Sequence, residues 1–306
     1  MTGRGHALAL LTAAALAAVT PLAAQDVPAP PGLSFGSNVG VVRLDVTVVA
    51  PDGRFVTDLR EQDFELREDG NPQAIDSFLR QELPVSLVLL MDASNSVIDR
   101  MPVARAATKQ FVSTLRPDDE VRVVAFNDRV SVVQELTSDR GALSRAIDAI
   151  AAGGATALYN ALYATLRNLP PPSSGGRPRR RVIVLLSDGE DTASLVWEEQ
   201  VLELVRRREA TVHVIALRAE SDASNRSARL LRLLSGESGG EVHHPGSIRD
   251  LDSVYARIGD ELRSQYTVGY VSSNPAQDGG WRRIELRVRG RKDLRVRHRT
   301  GYYAVP

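Results

Sequence analysis

The chain has 306 residues, no cysteine and a formal net charge of +0 at pH 7, with 38 basic and 38 acidic side chains. The lack of cysteine excludes disulfides, thiolate metal sites and cysteine nucleophiles. Because the charges balance, composition provides no overall attraction to nucleic acid or membrane surfaces, and we expect no nucleic-acid partner. This length fits one full-sized domain and one smaller domain.

The first 24 residues have the features of a secretory signal peptide. A short positive start with Arg4 and His6 precedes an apolar run over residues 7–19, and small residues follow it. The run is too short and too rich in alanine for a membrane anchor, although an uncleaved anchor is the alternative. We therefore predict a secreted or periplasmic protein with no membrane span after cleavage. Residues 25–40, rich in proline, glycine and serine, are predicted to be a linker.

Residues 41–83 are predicted to be an N-terminal β segment. Apolar and polar residues alternate from Val42 to Val48, which is typical of a strand with one buried face. Further strands are predicted at 64–70 and 73–80, separated by a turn. Isolated hairpins are marginally stable in water, so these strands need a partner elsewhere in the chain.

The central region, residues 84–264, alternates strands with helices. This order predicts an α/β fold, a doubly wound and mostly parallel sheet with helices on both faces. Two apolar stretches at 120–126 and 130–135 flank a turn, which adds one antiparallel edge strand. Helices are predicted at 101–115, 141–150, 157–169, 196–208, 228–234 and 251–262.

A continuous apolar run beginning at Val85 stops at Asp92, and hydroxyl side chains follow at Ser94 and Ser96. The run indicates a buried parallel strand, so these three side chains converge beyond its carboxyl end. One carboxylate and two hydroxyls form a set of hard oxygen ligands suited to a divalent cation that keeps some of its waters. Mg²⁺ is the expected ion.

Two further loops supply oxygen ligands. Thr156 lies in a glycine-rich loop before an apolar helix, and Asp188 follows a second buried strand that begins near Arg181. Chain order makes this strand a neighbour of the one that ends at Asp92, across the topological switch point where open α/β sheets bind ligands. We therefore expect Asp92 and Asp188 to face each other across one crevice, with the Thr156 loop alongside.

In this order and loop context, Asp92-x-Ser94-x-Ser96, Thr156 and Asp188 closely resemble the metal-ion-dependent adhesion site (MIDAS) of von Willebrand factor A domains. The resemblance covers the central region. It implies that Ser94, Ser96 and Thr156 coordinate the metal through their hydroxyls. It also implies that Asp92 and Asp188 complete the shell, directly or through water.

The same resemblance implies a non-enzymatic binding module. The metal in such domains is completed by a partner's carboxylate, so the expected partner is a protein presenting Asp or Glu. Mg²⁺ is the expected cofactor, with Mn²⁺ or Ca²⁺ as alternatives, although a shell rich in hydroxyls argues against a dedicated Ca²⁺ cage.

The flanks carry a second resemblance, through residues 64–73 before the central region and 266–270 and 299–303 after it. These segments resemble a family of exported bacterial proteins related to von Willebrand factor A and noted in Acidobacteria. That family implies an extracytoplasmic protein with no settled activity.

Residues 265–306 are predicted to be a C-terminal β segment. Stretches 283–289 and 294–299 are predicted to form a hairpin through Gly290. Our hypothesis is that this segment packs with residues 41–83 in a small β-sandwich, with the central region inserted between them.

Two alternative functions compete with metal-dependent binding. A metal-dependent hydrolase would require a histidine base, and the candidates are His213 in a strand and the pair His243 and His244. We predict a buried or sheet-face position for His213 and a surface position for the pair. No Gly-x-Ser-x-Gly elbow stands between a predicted strand and a following helix, and no His-Glu-x-x-His motif occurs, so we predict that the chain is not an enzyme.

The other alternative is a structural envelope protein that binds an anionic polymer, such as an anionic glycan, through arginine-rich β faces. Alternating arginines recur at 283, 287 and 289 and at 295, 297 and 299. The simpler interpretation is a solvated face that blocks edge-to-edge aggregation.

Overall fold

The computed structural model describes residues 40–80, 83–174, 176–217 and 226–304. The predicted signal peptide at 1–24 and all of the predicted linker except Gly40 lie outside these ranges. Among the helices of the described ranges, none has both the length and the apolar character needed to cross a membrane.

Strands and helices are numbered separately in chain order. The strands are β1 (Val41–Val49), β2 (Phe64–Glu68), β3 (Asn71–Gln73), β4 (Ser77–Leu79), β5 (Val85–Asp92), β6 (Glu120–Phe126), β7 (Val130–Thr137), β8 (Ser173–Ser174), β9 (Arg177–Pro178), β10 (Arg180–Ser187), β11 (Thr211–Ala216), β12 (Val242–His243), β13 (Tyr266–Val271), β14 (Trp281–Val288), β15 (Arg295–Arg297) and β16 (Gly301–Tyr303). The α-helices are α1 (Met101–Thr114), α2 (Arg140–Asp148), α3 (Leu158–Arg167), α4 (Glu198–Arg207), α5 (Arg226–Ser238) and α6 (Leu251–Ser264). Short 3-10 helices cover Glu61–Asp63, Asn95–Arg100 and Ile248–Asp250.

The central region is built on a six-stranded sheet in the order β12-β11-β10-β5-β6-β7. Neighbouring strands from β12 to β6 run parallel, and β7 joins the edge antiparallel to β6. The predicted α/β sheet with one antiparallel edge strand is therefore confirmed. The pairing of β5 with β10 also places the switch point where chain order predicted it.

Strand β5 is buried along its whole length because helices cover both faces of the sheet. Leu87 and Leu89 pack into a core on the side of α1, α2 and α6. Val88 and Leu90 point the opposite way, into a core with α3, α4 and α5. Successive side chains of a strand alternate between faces, so an unbroken apolar run supplies both cores at once.

The segments on either side of the central region form two four-stranded sheets, in the orders β15-β1-β13-β4 and β16-β14-β2-β3. N-terminal strands pair with C-terminal strands in both, since β1 runs antiparallel to β13 and β2 antiparallel to β14. The inward residues make one apolar core, which includes Leu44, Phe64, Tyr266 and Leu286. This pair of sheets is called the β-sandwich below.

The predicted hairpin between 283–289 and 294–299 is wrong. Strand β14 pairs with β2 and β16, whereas β15 pairs with β1 in the opposite sheet. Both strands contribute to one core, with Leu286 inside it and Val296 packed against it. Alternation shows that a strand has a buried face but not which sheet it joins, so the pattern could not distinguish these arrangements.

The predicted third strand at 73–80 is also divided in two. Gln73 pairs with Leu66 in one sheet, and Ser77 pairs with Gly269 in the other. The chain therefore crosses from one sheet to the other between these residues. At the crossing, the Asp76 carboxylate accepts a hydrogen bond of 2.6 Å from the N–H of Val271.

A buried polar cluster connects the β-sandwich to the last helix of the central region. Glu261 of α6 is fully buried, accepts a hydrogen bond of 3.0 Å from the Thr47 hydroxyl of β1, and lies 2.6 Å from the Arg297 guanidinium of β15. Although burial would raise the pKa of Glu261, His213 and Arg297 hold it below its ordinary value. Removing one member of such a cluster would leave a buried charge uncompensated, which is costly.

The predicted surface position of His243 is wrong, whereas His244 is exposed. His243 is 7% exposed, and its ring centroid lies 5.8 Å from that of His213, which is completely buried. The pairing of β12 with β11 carries His243 into this position. Burial lowers the pKa of both imidazoles, that of His243 to about 4.

Replacing His243 with Gln is expected to flatten the loss of stability on acidification. The imidazole takes up its proton near pH 6.5 in the unfolded chain and near pH 4 in the folded one. The unfolded state therefore binds more protons across that window, and stability present above pH 6.5 is lost as the pH falls. Urea unfolding midpoints across the window measure the slope.

The matched control is His244→Gln, which changes the exposed neighbour and should keep the wild-type slope. Equal slopes in the wild type and His243→Gln would contradict the assignment of this pH dependence to His243.

Candidate metal centre

The first loop of the site leaves the carboxyl end of β5. Asp92 and Ser94 are 2% and 1% exposed, whereas Ser96 is exposed. The backbone N–H of Ser94 donates to Oδ1 of Asp92 over 2.9 Å, and the hydroxyls of Ser94 and Ser96 lie 2.9 Å apart. The two predicted hydroxyl ligands therefore share one side of a loop held by the predicted carboxylate.

The neighbouring strand β10 stabilises the other oxygen of Asp92. The hydroxyl of Ser187 donates to Oδ2 of Asp92 over 2.7 Å and accepts a hydrogen bond of 3.0 Å from the N–H of Gly189. The sequence pattern assigned no role to Ser187. Its position beside Asp188, on the strand predicted to adjoin β5, was the available signal.

The glycine-rich loop before α3 is bound to the β5 loop through the backbone. Gly153 donates to the carbonyl of Ala93 over 2.7 Å, and Asn95 donates to the carbonyl of Gly154 over 3.0 Å. Gly154 has φ +88°, and a Cβ there would lie 2.8 Å from the carboxylate of Asp128. The left-handed backbone favours glycine at this position, whereas the exposed Asp128 side chain could move aside.

Thr156 connects this loop to the one that follows β10. Its N–H donates to the Thr192 hydroxyl over 3.0 Å, and its carbonyl accepts from the N–H of Thr192 over 2.8 Å. Asn127, predicted only as a turn residue, also supports the loop. Its side chain donates to Gly153 over 2.7 Å, and its carbonyl accepts from Ala157 over 2.7 Å.

These hydrogen bonds bring together the three loops that carry the five predicted ligands. Burial raises the pKa of Asp92, hydrogen bonds from Ser94 and Ser187 act in the opposite direction, and the Asp188 carboxylate raises it further. Two carboxylates that repel each other beside hydroxyl groups favour a bound cation. The residues present therefore fit a divalent metal ion.

A site of this composition differs from one made of charged and imidazole ligands. Within the described ranges, no group of three or more His, Cys, Asp or Glu is placed to hold a metal ion. The five predicted ligands include only two carboxylates, and the other three are hydroxyls. Oxygen donors of this kind suit hard cations such as Mg²⁺ or Mn²⁺.

The loop that follows β10 also presents apolar side chains to solvent. Leu195 is 88% exposed and Trp197 is 67% exposed. The loop is nevertheless ordered by Asn160 of α3, whose side-chain oxygen accepts hydrogen bonds of 3.0 Å from the N–H groups of Leu195 and Val196. A hydrogen-bonded loop thus displays two large apolar groups on the same segment as Asp188.

The alternating arginines of the C-terminal strands are largely paired with carboxylates. Arg283 and Arg287 lie 3.7 and 3.0 Å from Glu285 on the exposed face of β14. Arg295 of β15 lies 2.6 Å from Glu241. These rows are therefore mixed in charge and do not form a continuous cationic face.

The chain belongs to the von Willebrand factor type A domain family, whose model matches residues 86–257, more than half of the chain. A UPF0353 protein of Mycobacterium leprae (strain Br4923) is 23% identical over 234 residues, which cover 66% of each chain. A UPF0353 protein of Nocardia farcinica (strain IFM 10152) is 26% identical over 235 residues, covering 66% of this chain and 69% of the relative. The chain thus spans about two thirds of the length of these relatives.

Comparison with solved structures gives matches at low sequence identity. A von Willebrand factor type A protein from Catenulispora acidiphila has a TM-score of 0.50 at 15% identity, covering 90% of this chain and 76% of that one. Proximal thread matrix protein 1 of the mussel byssus, solved with a zinc-occupied MIDAS motif, has a TM-score of 0.49 at 15% identity. The match covers 60% of this chain and 48% of that one. BatB of Bacteroides thetaiotaomicron has a TM-score of 0.47 at 16% identity, and the match covers 59% of this chain and 100% of that one.

The family match and the Catenulispora acidiphila structure confirm the resemblance to von Willebrand factor A domains. The UPF0353 relatives come from actinobacteria, so the resemblance of the flanks to an Acidobacteria-type family stays a prediction, as does the identity of the metal ligands.

Proposed function

We propose that the protein is an exported, divalent-metal-dependent protein-binding module. The observation that carries the proposal is the hydrogen-bonded convergence of the β5 loop, the Thr156 loop and the β10 loop beside two repelling carboxylates. In this proposal Ser94, Ser96 and Thr156 are direct ligands, and Asp92 and Asp188 complete the shell.

Mg²⁺ is the proposed ion, with Mn²⁺ or Ca²⁺ as alternatives. Three neutral hydroxyls withdraw little of the ion's charge, so the bound ion stays strongly electrophilic towards an incoming carboxylate. The proposed partner is therefore a protein that presents Asp or Glu. Its acidic side chain gains free energy from the metal that a neutral side chain does not gain.

A secreted or periplasmic location is part of the proposal. The support is the charged start and apolar run of the first 24 residues, which are typical of a signal peptide. A chain without cysteine needs no oxidative folding outside the cytoplasm.

A binding role accounts for the described site better than hydrolysis does. A serine nucleophile requires a base within hydrogen-bonding reach. In the part of the chain that the structure describes, the Ser94 and Ser96 hydroxyls bond to each other and not to a histidine, and His213 and His243 pack together beside Glu261. We therefore propose that the site binds and does not catalyse.

The exposed apolar side chains of the β10 loop support a protein partner. Leu195 and Trp197 are 88% and 67% exposed on a loop ordered by hydrogen bonds. Tryptophan is strongly enriched among the residues that dominate binding energy at protein interfaces. We propose that they contact apolar residues beside the partner's acidic side chain.

Mg²⁺ titrated calorimetrically into the chelator-treated protein is expected to bind, and the Ser94→Ala, Ser96→Ala double variant should lose that binding. The reason is the removal of two of the three proposed hydroxyl ligands.

The matched control is Ser113→Ala, Ser253→Ala, which removes two exposed hydroxyls from α1 and α6. It should bind Mg²⁺ as the wild type does. Equal binding by both double variants, or none by the wild type, would contradict the assigned site.

Peptides selected by display on the Mg²⁺-loaded protein are expected to carry Asp or Glu. Changing that residue to Asn or Gln should weaken binding by about tenfold or more, because a neutral amide is a poorer ligand for a hard cation. Fluorescence anisotropy with and without chelator measures both effects. Peptides that bind equally well after chelation would show that the metal does not mediate recognition.

The substitution Trp197→Ala should lower the affinity for the same peptides by about tenfold or more without changing the affinity for Mg²⁺. The reason is that truncating a hot-spot residue costs roughly 2 kcal/mol or more of binding free energy. Val132→Ala is the control, because Val132 is 51% exposed on the edge strand β7. Identical effects of the two substitutions would argue against a specific contribution from Trp197.

A further inference from the structure

A cavity of about 660 Å³ lies between the C-terminal end of α4 and the β-sandwich. Residues 204 and 206–209 line one side, and residues 271, 272, 274–277, 299 and 302–304 line the other. Arg181, the second residue of β10, also lines it, whereas Asp188 follows the opposite end of that strand. At about 3.3 Å per residue, the cavity lies roughly 20 Å from the candidate metal centre along the strand.

Cationic side chains dominate the wall of this cavity. Five arginines line it, and Glu209 is the one carboxylate among its lining residues. The arginines are Arg181, Arg206, Arg207, Arg208 and Arg299.

Two of these arginines are neutralised by carboxylates outside the lining. Arg206 lies 2.5 Å from Glu237, and Arg207 lies 2.7 Å from Glu203. Arg181 and Arg299 approach Glu209, and the exposed Arg208 adds a third guanidinium to the lining. The C-terminus of α4 adds roughly half a negative charge, which is too little to balance the remaining excess.

The geometry around Glu209 leaves guanidinium donors unused. Arg299 lies 3.2 Å from Glu209, and Arg181 lies 3.9 Å from it. The side chains of Arg181 and Arg299 are only 11% and 14% exposed. In the part of the chain that the structure describes, the buried Nε of each finds no hydrogen-bond partner.

The electrostatics of Arg181 agree with this geometry. Burial lowers its pKa and Glu209 raises it, while the guanidinium groups of Arg43, Arg208 and Arg299 lower it. Like charges thus surround the buried guanidinium of Arg181. An oxyanion in the cavity would relieve that repulsion and accept charge-assisted hydrogen bonds from planar guanidinium donors.

We propose that this cavity binds a small organic anion through a phosphate, sulfate or carboxylate group held by Arg181, Arg208 and Arg299. Its volume falls within the range of about 300–1,000 Å³ typical of small-molecule sites. Val271 and Pro275 in the lining provide apolar surface for the organic part of the ligand. The site is separate from the proposed metal-dependent function and does not depend on it.

The test is calorimetric titration of glucose 6-phosphate, inorganic phosphate and glucose into the full chain, in metal-free buffer of low ionic strength. Glucose 6-phosphate should bind, inorganic phosphate should bind more weakly, and glucose should not bind. Low salt is required because partly exposed ionic contacts are screened.

The substitutions Arg208→Gln and Arg299→Gln should each lower the affinity for glucose 6-phosphate by about tenfold or more. Arg208 is exposed, so its variant tests the site with little risk to folding, and far-ultraviolet circular dichroism checks this. Arg287→Gln, on the exposed face of β14, is the matched control and should bind as the wild type does.

Three results would overturn the proposal. They are no binding of either phosphate compound, equal loss of affinity in Arg287→Gln and Arg208→Gln, and equal affinity for inorganic phosphate and glucose 6-phosphate. The second would indicate nonspecific attraction to arginine, and the third would leave no role for the organic part.

Discussion

The structure of the central region depends on the burial of β5 on both faces. A strand in that position is mostly apolar, and its two polar residues, Ser86 and Asp92, stand near its ends. Asp92 stands at the carboxyl end and remains 2% exposed. Its two oxygens accept hydrogen bonds from Ser94 and Ser187. This one side chain therefore fixes the loop after β5 and also connects β5 to the neighbouring strand β10.

The loops around Asp92 are held by the protein itself. Backbone bonds from Gly153 and Asn95 tie two loops together, and reciprocal bonds between Thr156 and Thr192 tie in the third. A cation that enters such a site needs little rearrangement of the chain, so less of its binding free energy is spent on ordering the loops. For the same reason, a partner that contacts the ordered β10 loop would need to spend little binding free energy on ordering it.

Local patterns in the sequence were sufficient for the main elements of the central region and for the pairing of β5 with β10. Unbroken apolar runs predicted β5 and β10, and chain order predicted that they adjoin. The sheet joined by β15 could not be predicted, because that choice depends on partners far away in the chain. For the same reason, the burial of His243 could not be predicted, because it is set by contacts with His213 and the polar cluster around Glu261.

Supporting residues were harder to foresee than ligands. Ser187 and Asn127 act through hydrogen bonds across loops, and neither stands in a spacing that a sequence pattern distinguishes from an ordinary strand end or turn. Ligands are recognisable because metal chemistry restricts their types. The groups that orient ligands can be almost any polar residue.

The pairing of β1 with β13 affects how the protein is made. Val46 meets Tyr266 in the sheet, so a strand near the start of the described chain waits for one more than 200 residues later. At a synthesis rate of about 5–20 residues per second, that wait lasts roughly 10–45 s. During it, β1 lacks both of its sheet neighbours, β13 and β15, and a holding chaperone or delayed release would protect its unpaired edges from aggregation.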